Sequence, residues 1–161
     1  MIPETAGCEP VVQRSINVRA SVDVAFRVFT EEMDSWWPRT HHIGGSPMSK
    51  QVVEGRVGGR LYSEHENGDE VEWGDVLAWE PPRRFVFAWM VTPDWTCERD
   101  LARCSEVEVI FTPVDNGTTL VELEHRFFSR HGEGGATMRE KVSGGWGGLM
   151  EMFRSKAEVA A

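Results

Sequence analysis

The chain has 161 residues, of which 40% are hydrophobic, enough for one domain with a single core. Lys and Arg number 17 against 26 Asp and Glu, and the resulting formal charge of −9 opposes binding to nucleic-acid phosphates and to anionic membrane surfaces. The longest apolar run, FVFAWMV at 85–91, is far shorter than the roughly twenty residues of a membrane span, so we expect neither nucleic acid nor membrane as a partner.

The ends and the cysteines of the chain indicate a cytoplasmic protein with reduced thiols. No basic and then apolar leader opens the sequence. Cys8, Cys97 and Cys104 are odd in number and lack CxxC spacing, which favours neither a disulfide framework nor a zinc site. No GxSxG, P-loop or GxGxxG motif is present, so the sequence predicts no cofactor, and the oligomeric state stays open.

The N-terminal part predicts a tail followed by a strand. Residues 1–9 have no hydrophobic periodicity, and we expect a flexible tail ahead of a single domain at 10–159. Residues 11–18 then alternate between two faces of which one is more apolar, which is typical of a β-strand. The domain therefore begins with a strand.

Two short helices are predicted after this strand. Ser21 is a suitable N-cap for a segment whose apolar side chains recur at i, i+3, i+4 and i+7. A second apolar set, which includes Trp36 and Trp37, continues the helical spacing up to Pro38. Proline has no amide hydrogen to donate and disfavours helix in the residue before it, so the second helix should end there.

From about residue 50 to 127 the hydrophobic period changes to two, which predicts antiparallel strands. Asn67-Gly68 and Asn116-Gly117 lie between alternating runs, and Asn-Gly favours the positive φ angles of tight hairpin turns. Pro81-Pro82 marks a third reversal of the chain. Apolar side chains alternate with glutamates in the later strands, so one face of the sheet should be buried and the other solvated.

A long C-terminal helix is predicted at about 136–159, where an apolar stripe contains Trp146, Met150 and Phe153. This stripe should lie on the sheet. Four glycines flank Trp146, and each costs about 1 kcal/mol relative to alanine in a helix interior. We therefore expect a kink, a restart of the helix near Gly144, or an unusually close approach of helix and sheet.

Together, these elements resemble the START-like (SRPBCC) or helix-grip fold, an α+β fold in which a curved antiparallel sheet wraps around a long C-terminal helix. The segment GDVLAWEPPRRFVFAW (74–89) is similar to a hallmark of this superfamily, and HRFFSRHGEGG (125–135) with GGWGGLMEMF (144–153) resembles its AHSA1-type branch, named for the activator of the heat-shock ATPase. The resemblance covers 10–159. It implies binding of lipids, sterols, polyketides or other apolar molecules between sheet and helix, and some members are enzymes.

Large aromatic side chains on the inner face of such a sheet either fill the core or line a cavity. Seven Trp against a single Tyr would give a rigid, apolar wall of the kind that ligand pockets use. Trp79 is a further candidate for the inner face. The predicted ligand-binding side chains are Trp36, Trp37, Trp73, Trp89, His125, Phe127, Trp146, Met150 and Phe153.

Two polar strand residues are candidates for catalysis. Asp75 has the same parity as Trp73, and His125 has the same parity as the apolar residues of its strand, so both point inward if the alternation is regular. His125 with Asp75 or Glu72 could then transfer protons, since an imidazole exchanges protons near neutral pH. Alternatively, a bulge reverses Asp75, and His125 reaches solvent or a backbone carbonyl.

The loop WWPRTHHIGG at 36–45 is either a mobile rim over the cavity mouth, hinged at Gly44-Gly45, or a packed surface loop. His41 and His42 are adjacent and have no third ligand at metal-site spacing, so no metal site is predicted.

Three functions follow from the sequence. The first is binding of a small apolar molecule without catalysis. The second is a cyclase or dehydratase reaction assisted by His125. The third, implied by the family name alone, is a chaperone-associated interaction module.

Overall fold

The computed structural model describes residues 9–161, which contain seven β-strands and two α-helices. In chain order these elements are β1 (Val12–Val18), α1 (Val22–Phe29), β2 (Met48–Val53), β3 (Arg60–His65), β4 (Glu70–Glu80), β5 (Arg84–Trp89), β6 (Ser105–Asp115), β7 (Thr118–Arg126) and α2 (Gly135–Ala160). Short 3-10 segments lie at Met33–Ser35, Leu101–Arg103 and Phe128–Gly134. The tail predicted at 1–9 lies outside the described residues except for Glu9, whose carboxylate accepts hydrogen bonds from Ser129 at 2.6 and 2.9 Å.

The strands form one antiparallel sheet in the order β1-β7-β6-β5-β4-β3-β2. Its inner face packs on both helices, and Phe29 of α1 lies at the centre of this packing. The Phe29 ring centroid is 5.0 Å from that of Phe153 in α2 and 5.8 Å from that of Phe111 in β6. This arrangement confirms the predicted helix-grip fold.

The three predicted reversals all connect neighbouring strands. Asn67-Gly68 joins β3 to β4, and Asn116-Gly117 joins β6 to β7. Gly68 and Gly117 have φ angles of 93° and 78°, in the left-handed region that glycine tolerates without strain. Pro81-Pro82 joins β4 to β5 and contains a cis peptide bond.

The region between β1 and the rest of the sheet contains one α-helix rather than two. Ser21 caps α1 as predicted, its hydroxyl accepting from the amide of Val24 at 3.2 Å. The predicted second helix is matched only loosely: it is the single 3-10 turn Met33–Ser35, and Trp36 and Trp37 lie beyond it. The indole of Trp36 turns back to α1 and donates to the carbonyl of Val28 at 2.8 Å, which favours an irregular chain over another helical turn.

The long helix α2 runs without interruption from Gly135 to Ala160, so the predicted kink or restart near Gly144 is wrong. A close approach to the sheet is not the reason for the glycines either. A Cβ atom added at Gly144, Gly145 or Gly148 would have no neighbour within 4 Å, and one at Gly147 would lie 3.9 Å from Nε of Arg14 in β1, an ordinary contact distance. None of the helices among residues 9–161 is long and apolar enough to cross a membrane.

Two β-bulges in β4 decide which of its side chains face the helix. The pairing with β3 shifts at Trp73, and the pairing with β5 shifts at Leu77. As a result Trp73, Val76 and Trp79 contact the main core, whereas Leu77 packs on a small cluster outside it. The alternation that the sequence predicts for this strand is therefore broken twice.

Candidate functional site

A pocket of about 480 Å³ lies between the sheet, α2 and the loop after α1. Its wall consists mainly of four tryptophans: Trp37 from the loop, Trp73 from β4, Trp89 from β5 and Trp146 from α2. Ile43, Val91, Val142 and Leu149 complete the apolar surface. We call this cavity the tryptophan pocket.

Three of the four indoles are held by hydrogen bonds. Nε1 of Trp37 donates to the carbonyl of His41 at 2.7 Å, and Nε1 of Trp73 donates to the amide oxygen of Gln51 at 2.8 Å. Nε1 of Trp146 donates to Nδ1 of His125 at 3.1 Å. Nε1 of Trp89 is buried and has no hydrogen-bond partner among residues 9–161. Hydrogen bonds thus fix three indoles of the wall, and the fourth indole keeps an unpaired donor.

The mouth of the pocket is polar. Thr40, His41 and His42 border it from the loop, and Lys141 borders it from α2. Partial burial lowers the pKa of His41 below its ordinary value, so this ring is neutral near pH 7. Nδ1 of His42 is buried without a partner among the described residues. The loop at 36–45 therefore contributes to the pocket, while its mobility and its hinge at Gly44-Gly45 stay predictions.

Trp95 closes the opposite side of the mouth. It is 49% exposed and has a φ angle of 61°, which is uncommon for a residue with a large side chain. The ammonium of Lys141 lies 4.7 Å from the centroid of the Trp95 indole. This cation–π contact joins the loop between β5 and β6 to α2.

His125 points inward as its parity predicted but does not reach the pocket. It is fully buried behind Trp146, and its ring lies against Phe128 with centroids 4.4 Å apart. Nε2 lies 2.8 Å from the hydroxyl of Ser105, whose oxygen is also 2.7 Å from Nε2 of His131. Burial, with a smaller effect from His131, lowers the pKa of His125 well below its ordinary value, so the ring is neutral.

The two candidate carboxylates lie on the opposite side of the sheet. Asp75 pairs with Ala88, which belongs to the cluster outside the main core, so the interpretation of an inward Asp75 is wrong and the bulge interpretation holds. Glu72 accepts from Arg99 at 2.5 Å. Burial, followed by the neighbouring Glu72, raises the pKa of Asp75 to about 7. Both carboxylates lie on the outer face of the sheet, whereas His125 lies on the inner face. The structure therefore does not bring the predicted acid–base set together.

Four other predicted ligand-binding residues do not line the pocket. Trp36, Met150 and Phe153 are buried in the main core. Phe127 is 37% exposed, and its left-handed φ of 67° turns its ring to Arg130, whose guanidinium lies 4.2 Å from the ring centroid. The strand alternation cannot extend to Phe127, because β7 ends at Arg126.

The lining residues that the sequence reasoning missed are smaller or charged, with the exception of Trp95. Val142, Gly145 and Leu149 share the helical face of Trp146, and this spacing could have identified them. No local pattern distinguishes Trp95 or Lys141, which meet only in the folded chain.

Three solved structures are similar to the chain over most of its length. Txn09, an anthrahydroquino-gamma-pyrone synthase solved as a complex, is 37% identical, with 83% of this chain and 87% of that one covered and a TM-score of 0.60. The self-sacrificing resistance protein CalC from Micromonospora echinospora is 27% identical over 95% and 97% of the two chains, with a TM-score of 0.67. The Aha1 dimer from Colwellia psychrerythraea is 17% identical over 93% and 97%, with a TM-score of 0.59, and shows the fold alone.

No curated protein matches the chain significantly. The family described as activator of Hsp90 ATPase homolog 1-like protein, however, matches residues 19–158. That range includes the strands β2 to β7, helix α1, α2 as far as Glu158, and every residue of the tryptophan pocket. The chain therefore belongs to the activator of Hsp90 ATPase homolog 1-like family, within the START-like superfamily of ligand-binding and cyclase-type domains.

Proposed function

We propose that the protein binds a flat aromatic molecule with oxygen substituents in the tryptophan pocket. The observation that carries this proposal is the wall of four indoles, Trp37, Trp73, Trp89 and Trp146, around a cavity of about 480 Å³. Flat rings stack on or pack edge-to-face against indoles, and small-molecule sites have volumes of roughly 300–1,000 Å³. A frame of three fused rings suits both the shape and the volume.

The unpaired polar atoms support oxygen substituents on this molecule. Nε1 of Trp89 and Nδ1 of His42 lack partners among residues 9–161, and both side chains line the pocket. A buried polar group without a hydrogen bond costs roughly 1–3 kcal/mol. A carbonyl or hydroxyl oxygen that reaches either nitrogen after a small ring movement would recover part of this cost. Lys141 at the mouth adds a positive charge that suits an acidic ligand.

The similarity to Txn09 supports the same class of molecule. That protein is named for an anthrahydroquinone fused to a pyrone, which is a flat and oxygen-rich ring system. It is 37% identical to this chain, well above the level at which only the fold is shared.

A matched pair of ligands tests the proposal. Anthraquinone-2-carboxylate and anthracene-2-carboxylate share a three-ring frame and a carboxylate, but only the first carries two ring carbonyls. We expect both to bind at one site per chain by calorimetry, with the anthraquinone about threefold to tenfold tighter because its oxygens accept hydrogen bonds. Saturable binding of neither ligand would reject the proposal.

Two variants test whether the preference for the anthraquinone over the anthracene arises in the tryptophan pocket. Trp89→Phe keeps an aromatic wall but removes one of the two unpaired nitrogens, so it should reduce the preference for the anthraquinone. Trp79→Phe is the matched control, because Trp79 packs on Phe26 and Phe85 outside the pocket. This control should bind both ligands as the unchanged protein does.

The second candidate function is ring closure of the bound molecule, and the synthase name of Txn09 favours it. A γ-pyrone forms when a hydroxyl oxygen attacks a carbonyl carbon and water is lost, so one group must take the hydroxyl proton and another must protonate the leaving oxygen. His41 and His42 lie at the pocket mouth, and the lowered pKa of His41 leaves its ring free to accept a proton. His125, Asp75 and Glu72 do not lie in the pocket.

Turnover separates this candidate from binding alone. With a hydroxyaryl 1,3-diketone as substrate, ring closure should release water and form the pyrone, detected by mass spectrometry. His41→Asn and His42→Asn should lower the rate by about 10² to 10⁴ while ligand affinity changes only a few-fold. Binding without product in the unchanged protein would leave the binding function and remove the cyclase.

A further inference from the structure

A buried chain of hydrogen bonds connects the wall of the tryptophan pocket to the protein surface. Trp146 Nε1 lies 3.1 Å from Nδ1 of His125, and Nε2 of His125 lies 2.8 Å from Oγ of Ser105. The same Oγ lies 2.7 Å from Nε2 of His131. Trp146, His125 and Ser105 are at most 1% exposed, whereas His131 is half-buried. The chain thus begins in the pocket and ends at a side chain that solvent reaches.

The chemistry of the partners determines the direction of these hydrogen bonds. An indole N–H donates and cannot accept, so Nδ1 of His125 carries a lone pair and the neutral ring has its proton on Nε2. This Nε2–H donates to Ser105. The arrangement that leaves no hydrogen without an acceptor then has the hydroxyl of Ser105 donating to Nε2 of His131, whose own proton is on Nδ1.

We propose that Ser105 and His131 are positioning residues that hold Trp146 in the pocket wall through His125, and that protonation of His131 weakens this hold. A second proton on His131 resides at Nε2, which changes from acceptor to donor. Two N–H groups then point at Oγ of Ser105, and the hydroxyl hydrogen loses its acceptor. The bond between Ser105 and His125 weakens, and His125 no longer fixes the indole as tightly.

This chain positions the indole and does not move a proton into the pocket. Trp146 donates to His125 and cannot accept a proton from it, so transfer along the chain ends at the indole. The role of His125 is therefore to orient Trp146, although the sequence had suggested an acid–base group.

Charged groups around His131 set the pH at which the change occurs. Burial lowers its pKa, and the carboxylate of Glu98 opposes this effect. Arg103 of the same loop pairs with Glu98 at 3.2 Å, and Arg130, next to His131 in the chain, pairs with Glu106 at 3.1 Å. Further charged side chains lie in this segment, next to it in the chain, or on β6 and α2, which pack against it: Glu9, Asp100, Glu108, Asp115, Arg126, Glu133, Arg139, Glu140, Lys141, Glu151, Arg154, Lys156 and Glu158. The pKa of His131 thus lies below its ordinary value, so its ring is neutral at pH 7 and takes up a proton as the pH falls further.

Nuclear magnetic resonance of the ligand-free protein tests the proposal. The indole ¹H–¹⁵N signal of Trp146 is identified by its absence in Trp146→Phe, and protonation of His131 is followed at its own Cε1–H signal. Between pH 8 and pH 5 the Trp146 signal should move with the same midpoint as His131. In Ser105→Ala this movement should fall at least threefold. Ser63→Ala is the matched control, because it removes the hydroxyl 2.7 Å from a different buried histidine, His65, and should leave the movement intact.

A second readout is the affinity for anthraquinone-2-carboxylate. Only this readout rests on the proposed function, because the NMR test uses the ligand-free protein. This affinity should be about threefold to tenfold lower in Ser105→Ala at pH 7. If no probe binds but the Trp146 signal still follows His131, the proposed function fails and the positioning chain stands. If Ser105→Ala does not fold, His131→Asn provides the test, because the Trp146 signal should then lose its pH dependence. A Trp146 signal that ignores the titration of His131, or follows it equally in Ser105→Ala, would overturn the proposal.

Discussion

Trp37 and Trp73 stack with their ring centroids 5.1 Å apart and an angle of 30° between their planes. This contact joins the loop after α1 to the inner face of β4. Both indoles are also tied by their N–H groups, to His41 and Gln51 respectively. The stack therefore supports the pocket wall and the position of the loop at the same time.

Removal of one partner of this stack should affect binding and stability together. Trp37→Ala should lower the unfolding free energy by about 3–5 kcal/mol, since a buried aromatic is lost. Affinity for anthraquinone-2-carboxylate should fall more than tenfold in calorimetry. Trp79→Ala, on the other side of the core, should lower stability and keep the affinity. Equal affinity of Trp37→Ala and the unchanged protein would show that Trp37 is outside the binding site.

Trp146 and Trp95 both line the pocket but should differ in their contribution to stability. Trp146 is 1% exposed and Trp95 is 49% exposed. In urea unfolding, Trp146→Ala should lower the unfolding free energy by roughly 3–5 kcal/mol, whereas Trp95→Ala should change it by less than about 0.5 kcal/mol. A small effect of Trp146→Ala would mean that α2 closes the space left by the indole.

His131 should destabilise the folded protein in mild acid. Its pKa is lower in the folded protein than its ordinary value of 6.5, so below about pH 6.5 the unfolded chain binds a proton that the folded chain does not. The difference in unfolding free energy between His131→Asn and the unchanged protein should therefore move in favour of the variant as the pH falls from 7 to 5. A difference that is constant over this range would contradict the lowered pKa.

Asp75 should have the opposite pH dependence. Its pKa is raised from 3.8 to about 7, so the folded chain binds a proton between these values that the unfolded chain has lost, and this stabilisation disappears as the pH rises through 7. Asp75→Asn should consequently raise the unfolding free energy at pH 8 by roughly 1 kcal/mol, allowing for its partial exposure, and by less at pH 5. The exposed Glu122→Gln is the control and should show no such trend.

The glycines of α2 should be replaceable outside the pocket. A Cβ at Gly148 would meet no atom within 4 Å, so Gly148→Ala should raise the unfolding free energy by about 0.5–1 kcal/mol through helix propensity alone. Gly135→Ala is the contrasting variant, because its Cβ would lie 2.2 Å from the carbonyl oxygen of Phe128. It should destabilise the start of the helix. A destabilised Gly148→Ala would indicate that the helix must bend there in solution.

The elements of the fold were predictable because their signals are local. Hydrophobic period two or 3.6 and the turn residues Asn67-Gly68 and Asn116-Gly117 act within a few residues, and the structure confirms the strands and the long helix that they indicate. The second short helix, Met33–Ser35, ends earlier than its pattern predicts. Trp36 has helical spacing, but its indole bonds to Val28, a contact that no spacing rule contains.

The site was less predictable because it depends on pairing between distant segments. Regular parity predicts an inward Asp75 and a bulge predicts the reverse, and parity fails where β3 and β4 shift their register. His125 has the predicted direction, yet Trp146 from another element stands between it and the cavity. Trp95 and Lys141 meet through a loop and a helix. The aromatic residues of the sequence include those of the pocket wall. The residues of the pocket mouth, in contrast, could be identified only in the folded structure.

The bulges of β4 also determine the shape of the sheet. Six residues of β4, Glu70–Asp75, run beside five of β3, Arg60–Glu64, and seven, Gly74–Glu80, run beside six of β5, Arg84–Trp89. A strand that is longer than both neighbours over the same span must bend and twist, so β4 carries curvature into the middle of the sheet. Its inward side chains Trp73, Val76 and Trp79 recur every three residues, a spacing closer to that of a helix than of a strand. Deletion of Leu77 would remove this bulge and leave Val76 and Trp79 two residues apart on the inner face, as in a regular strand. The strand would then bend less, and α2 would lose part of the concave surface on which it packs.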